Sequence, residues 1–81
     1  MQVNMEIKKL ILDEIKSISF VQLGLDDSII DSQLLDSIGI IDLVIFIEEN
    51  IGIKIPTNDI NKENFDTVNK IADYLMIRRD N

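Results

Sequence analysis

Apolar residues return along this chain at three- and four-residue steps in three separate stretches, the spacing that aligns side chains on one face of an α-helix. Val3, Ile7, Leu10, Ile11, Ile15 and Ile18 make the first stripe, with Glu6, Lys9, Asp13 and Lys16 mainly elsewhere on the wheel, and predict a helix over residues 3–18. Ile40, Leu43, Val44, Ile47 and Ile51 make the second, in a run of about four turns that opens after Asp36-Ser37 and closes at Gly52 and Pro56. Val68, Ile71, Ala72 and Leu75 make the third. Asp66 or Thr67 is placed to cap it, and Arg78 and Arg79 stand where cations complement a helix C-terminus.

The segments between the stripes are unequal. Residues 19–35 hold Gly24, Asp26, Asp27, Ser28, Asp31 and Ser32, with Leu23, Leu25, Ile29, Ile30 and Leu34 as pegs over a core. So long a connection is unusual in a small domain. It is expected to span the bundle, from the far end of one helix to the start of another running roughly parallel to it; a short extra helix around Ile29–Gln33 is the alternative. Thr57–Phe65 carries Ile60 and Phe65 among polar residues and suits one short helical turn. The expected fold is all-α, a small bundle of three main helices plus one short helix, with a long first loop, as a single domain over residues 1–81.

The second helix is apolar over too much of its circumference. Ile38, Ile41 and Ile45 lie roughly 100–160° from the centre of the core stripe, beside Asp42 and Glu49. Either they form an exposed apolar strip with an acidic rim, the signature of a partner site, or the helix is central and both faces are buried.

Composition sharpens this picture. With 46% apolar residues the chain is a folding one, and its 17 isoleucines against one alanine make helices that depend on tertiary packing. Cys and His are both absent, which removes disulfides, thiolate nucleophiles, imidazole bases and the usual zinc and haem ligands. No carboxylate spacing matches a calcium loop, so no metal is expected, and unaided catalysis is not expected either. The net charge is −7, and the acidity is regional: between Lys16 and Lys54 there is no base, whereas Asp26, Asp27, Asp31, Asp36, Asp42, Glu48 and Glu49 fall there. Such a face repels nucleic acid and either favours proteins with basic docking patches or serves only as a solvated surface that aids solubility. The longest uninterrupted apolar run, Leu43–Ile47, is too short to span a membrane, and no secretory signal is evident, so a cytoplasmic monomer without membrane insertion is expected.

One side chain offers chemistry. Asp36 is the better N-cap of the second helix, which puts Ser37 at its first helical position. Gly39 and Ile40 leave no Ser/Thr-x-x-Glu/Gln capping box, so nothing in the sequence ties down the Ser37 hydroxyl. Leu35-Asp36-Ser37-Ile38, followed by Asp42-Leu43-Val44, Ile47-Glu48-Glu49 and Ile53-Lys54-Ile55-Pro56, resembles the acyl carrier protein and peptidyl carrier protein family. Phe65-Asp66-Thr67-Val68 and Ile71-Ala72-Asp73-Tyr74-Leu75 resemble that family's last loop and helix. The likeness runs from about Leu23 to Leu75. An Asp-Ser pair alone is weak, since Asp27-Ser28 and Asp31-Ser32 repeat it; only the third opens a long apolar run. Leu34 stands where fatty-acid carriers usually have glycine, and the pattern is closer to D-alanyl and other stand-alone carriers.

The resemblance implies that Ser37 carries 4′-phosphopantetheine, attached by a phosphopantetheinyl transferase, and that Asp36 flanks it, as N-cap alone or also as an aid to metal and substrate positioning. It implies an acyl or aminoacyl cargo held as a thioester. It also implies a loading ligase and downstream transferases or synthases that read Ile38, Ile41, Asp42, Ile45, Glu48 and Glu49. A non-catalytic helical interaction module without a prosthetic group is the competing class. A hydrolase using Ser37 fails for want of a His, Lys or second base placed near it in sequence.

Overall fold

The computed structural model describes residues 3–80, without the side chains of Val3, Asn4, Arg79 and Asp80; the first position of the first stripe and the Arg79 cation therefore lie outside the described side chains. Helix α1 spans Val3–Ser19, α2 Ser37–Ile51, α3 Lys62–Phe65 and α4 Val68–Asp80, with a 3₁₀ turn at Thr57–Asp59. Every regular element among the described residues is helical, as the three stripes require. The expected single turn in 57–65 is two pieces, because the Asn61 side chain accepts the Asn64 N–H at 2.9 Å and starts a new helix after the 3₁₀ turn.

Each stripe faces inward. Ile7, Ile11 and Ile15 of α1 meet Leu43, Val44 and Ile47 of α2 and Val68, Ile71, Ala72 and Leu75 of α4, and all of these are buried. Burial of each large side chain contributes about 1.5–3 kcal/mol, which supplies what isoleucine lacks in helix propensity. Leu10 departs from the expected stripe: it sits at the edge of the α1 face and is exposed, while Leu12 packs against the core. Helix α2 ends where Gly52 turns left-handed at φ 81°, its N–H donating to the Glu48 carbonyl at 2.9 Å. Thr67, not Asp66, caps α4, its Oγ1 accepting from the Lys70 N–H at 3.0 Å.

The first loop does not cross the bundle. Ile18 near the end of α1 borders one shallow groove with Leu35, Asp36 and Gly39 at the start of α2, so these two packed helices run in opposite directions. The length of the loop is taken up by a detour to the α3–α4 junction. There the Ile29 N–H donates to the Asp66 carbonyl, the Asn69 N–H to the Leu25 carbonyl at 3.1 Å, and the Asn69 side chain to Asp26 at 2.6 Å. Lys62 bridges Asp31 at 2.8 Å, and that hydrogen-bonded pairing raises the Lys62 pKa. Residues 29–33 form successive turns rather than a helix, and Gln33 takes φ 56°. Ile29 and Leu35 are buried, while Leu23, Leu25 and Leu34 pack partly covered against the core.

Asp66 is the centre of this junction. Its carboxylate accepts from the Ser28 hydroxyl at 2.5 Å and from the Ile30 N–H at 3.3 Å. The Ser28 hydrogen bond chiefly holds its pKa below the usual carboxylate value, against the opposing effect of burial. At the other end of the molecule, the Arg78 guanidinium donates to the Lys54 carbonyl at 2.8 Å and lies 6.0 Å over the Tyr74 ring. It ties the exit of α2 to α4 instead of serving its own helix end. Tyr74 donates to Asp59 at 2.5 Å, and burial, reinforced by that carboxylate, pushes its pKa up to about 12.

Replacing Asp66 by Ala strands the Ser28 hydroxyl and the Ile30 N–H and is expected to lower stability by about 2 kcal/mol in denaturant melts. Because the folded pKa is depressed, the ionised Asp66 stabilises the fold at neutral pH. That contribution is lost as pH falls below the ordinary value of 3.8 and through the lower folded value. The gap between wild type and Asp66→Asn should narrow in the same window.

Candidate functional site

The site is built on the first turn of α2. Asp36 takes an extended N-cap conformation, its Oδ1 accepting the Gly39 N–H at 2.8 Å and its carbonyl accepting the Ile40 N–H at 2.9 Å. The cap needs no help from its neighbour, and Ser37, the first helical residue, stands exposed with no hydrogen-bond partner for its hydroxyl among the described residues. Gly39 is buried against Leu35: a Cβ there would come within 3.2 Å of the Leu35 Cβ, so the first turn sits close on the loop that precedes it.

The other two Asp-Ser pairs are engaged in the fold. The Ser28 hydroxyl donates to Asp66 and accepts from the Asp31 N–H at 2.8 Å. The Ser32 hydroxyl donates to the Ile29 carbonyl at 3.1 Å and accepts from the Leu34 N–H at 3.3 Å. Ser37 is the member of the three with a free oxygen. It also adjoins the Ser37 and Ile38 backbone N–H groups, which precede the first intrahelical donor, Ile40, and point out of the positive end of the helix dipole. An exposed hydroxyl beside two free donors fits a phosphodiester, because an anion there gains both hydrogen bonds and dipole stabilisation. The Asp36 carboxylate opposes a second negative charge, but one of its oxygens is already engaged by the cap.

The second apolar strip is exposed. Ile38, Ile41 and Ile45 are 69%, 54% and 46% accessible, which settles the alternative of two buried faces. Ser37 lies on this side of the helix, since on the wheel it is about 40° from Ile41 and about 80° from Ile45. Asp42 and Glu49 are exposed along its flank. Glu48 is engaged differently. Half-buried, it accepts the Ile55 N–H at 2.8 Å and fastens the chain leaving α2. Ile45, Glu48 and Glu49 also border an open groove of about 330 Å³ with Gly52, Ile53 and Lys54. No group of three or more His, Cys, Asp or Glu side chains converges on a metal position among the described residues.

Three features are not legible in the sequence. Phe20 is almost fully exposed with φ 63°, Leu35 is a core residue, and Asp66 is the anchor of the first loop. The pairing of Asp66 with Ser28 leaves no sequence signal because it joins residues 38 apart.

A family model described as a phosphopantetheine attachment site matches residues 6–75. Among curated relatives, a D-alanyl carrier protein of Streptococcus suis is 29% identical over 89% of this chain and 94% of its own length. A D-alanyl carrier protein of Lactobacillus acidophilus is 30% identical over 84% of this chain and 89% of its own. One from Bacillus pumilus is 40% identical over a shorter match, 59% of this chain and 62% of the relative.

The geometry separates capping from chemistry. Asp36→Ala is expected to cost about 1 kcal/mol of stability through loss of the cap, whereas Ser37→Ala should leave the melting temperature unchanged. Thermal unfolding of the two variants beside wild type measures the difference.

Proposed function

This chain belongs to the phosphopantetheine-attachment family, and from that premise we propose that Ser37 is the residue that bears the arm. The protein is a carrier that holds an acyl or aminoacyl group on covalently bound 4′-phosphopantetheine. The observation that supports Ser37 is its unengaged hydroxyl at a capped helix start, where Ser28 and Ser32 are both hydrogen-bonded. The arm supplies the thiol that the chain lacks, and with it the thioester. The Ser37 and Ile38 N–H groups and the α2 dipole would hold the phosphate, and Asp36 caps the helix and would face the metal-bearing transferase. Activation of the Ser37 hydroxyl comes from that transferase, since the chain has no histidine and the adjoining Asp36 carboxylate is engaged by the cap, and the carrier performs no catalysis of its own.

The family implies partner enzymes such as a transferase and a ligase. Their docking face is Ile38, Ile41 and Ile45, rimmed by Asp42 and Glu49, with Glu48 contributing from its anchored position. An apolar strip with an acidic rim suits partners that present apolar recesses flanked by Lys and Arg. No helix among the described residues is long and apolar enough to cross a membrane. The protein works as a monomer in the cytoplasm, and its acidic face keeps it from nucleic acid.

The cargo is a small aminoacyl group of the D-alanyl kind. The relatives' names and Leu34 support this, and so does the core. The cavity enclosed by Ile29, Ile30, Ile40, Leu43, Ile60 and Phe65 is about 50 Å³. That is roughly a third of a cavity that admits benzene, so this space in the core does not take a long acyl chain.

Two measurements follow from this reading. Incubated with coenzyme A, Mg²⁺ and a broad-specificity phosphopantetheinyl transferase, the wild-type chain should gain the mass of one phosphopantetheine and Ser37→Ala none; a gain in both would move the site elsewhere. With acetyl, butyryl or octanoyl thioesters on the arm, the melting temperature should not rise with chain length. A progressive rise would mean that the core opens to take the chain.

A further inference from the structure

Phe20 is 88% accessible, the most exposed large apolar side chain among the described residues, and Val21 beside it is 42%. Its backbone is left-handed at φ 63°, where a residue with a Cβ is disfavoured and glycine or asparagine is the usual helix-ending occupant. The conformation is held firmly. The Phe20 N–H donates to the Lys16 carbonyl at 2.7 Å, and the Ser19 hydroxyl donates to the Ile15 carbonyl at 2.7 Å while accepting the Val21 N–H at 3.2 Å. The free chain thus ends α1 on a left-handed aromatic residue whose ring lies in water, and no packing within the fold accounts for that ring. Strained backbone maintained by its surroundings concentrates where proteins meet ligands.

Position gives the ring a use. Ile18, two residues earlier, shares a groove with Asp36 and Gly39, so Phe20 stands at the end of the molecule that carries Ser37. We propose that Phe20 is an apolar anchor for the phosphopantetheinyl transferase, seated in a recess of that enzyme beside the cationic surface that meets Asp36 and Asp42. The inference rests on Ser37 as the attachment residue. Its choice of occupant follows from reach. An enzyme that modifies the Ser37 hydroxyl must close its active site over the side chain itself, and its surface is then pressed against this end of the bundle. Enzymes that act on the loaded thiol dock on the α2 strip as well, but they meet the thiol across a long flexible arm and need not close over this end of the bundle. Aromatic side chains, phenylalanine among them, are enriched at the cores of protein interfaces, and the surrounding stretch carries no base from Ser17 to Ile53 to repel a cationic partner.

The test compares apo wild type with Phe20→Ala, Phe20→Gly and Phe20→Leu, following transfer from coenzyme A by intact mass over a range of carrier concentrations. The Ala and Gly variants should lose about tenfold or more in kcat/KM. The loss should fall in KM, with melting temperatures no lower than wild type, and Phe20→Leu should recover most of it. Wild-type kinetics in both Ala and Gly would overturn the proposal, as would a loss that tracks a fall in melting temperature. A wild-type chain that gains no mass would overturn the Ser37 reading instead, so the two failures are distinguishable.

Discussion

A buried carboxylate holds the longest connection of this protein in place. Asp66 receives the Ser28 hydroxyl and the Ile30 N–H, its own carbonyl takes the Ile29 N–H, and the neighbouring Asn69 gathers Leu25 and Asp26. A connection of this length has conformational freedom to lose, and only Ile29 and Leu35 within it are fully buried to offset that loss. Fastening it at one junction lets Ile29 and Leu35 reach the core and delivers the chain to Asp36 at a fixed angle. The cap of α2, and with it the exposure of Ser37, depends on that delivery.

The placement of α2 explains how one helix can be both core and contact surface. Leu43, Val44 and Ile47 are covered by the rest of the bundle, and a domain of this size has nothing left to cover the opposite side. The strip of Ile38, Ile41 and Ile45 is therefore the residue of a packing shortage, made tolerable in water by Asp42 and Glu49. Ser37 opens the same side, so an enzyme drawn to the strip arrives beside the modifiable oxygen.

What could be read from the sequence was what local spacing determines. The three stripes, the Asp36 cap, the Gly52 stop and the separation of α2 into two faces all follow from residues within a few turns of one another. The relation between elements was less legible. The direction of α2 relative to α1 came out opposite to expectation because loop length sets only a maximum span, and the detour to Asp66 is encoded in a pair of side chains far apart in the chain. Glu48 and Arg78 show the same limit: each sits where a surface or dipole role is reasonable, and each instead finds a backbone group on another segment. Phe20 was hidden for a different reason, since an apolar residue after an apolar stripe reads as core unless the backbone is known to turn left-handed.

The Tyr74–Asp59 bond has a consequence for how this protein can be watched. The chain has one tyrosine and no tryptophan, so its near-ultraviolet signal comes chiefly from one ring, with only weak phenylalanine absorption beside it. That ring joins α4 to the 3₁₀ turn, touches Phe65 of α3 at 5.7 Å and lies under Arg78, which reaches back to the exit of α2. A single chromophore thus stands at the meeting point of three segments, α3, α4 and the 3₁₀ turn. It reports, without any label, whether the packing of α4 on α3 and the 3₁₀ turn keeps its shape while the arm is attached, loaded and emptied.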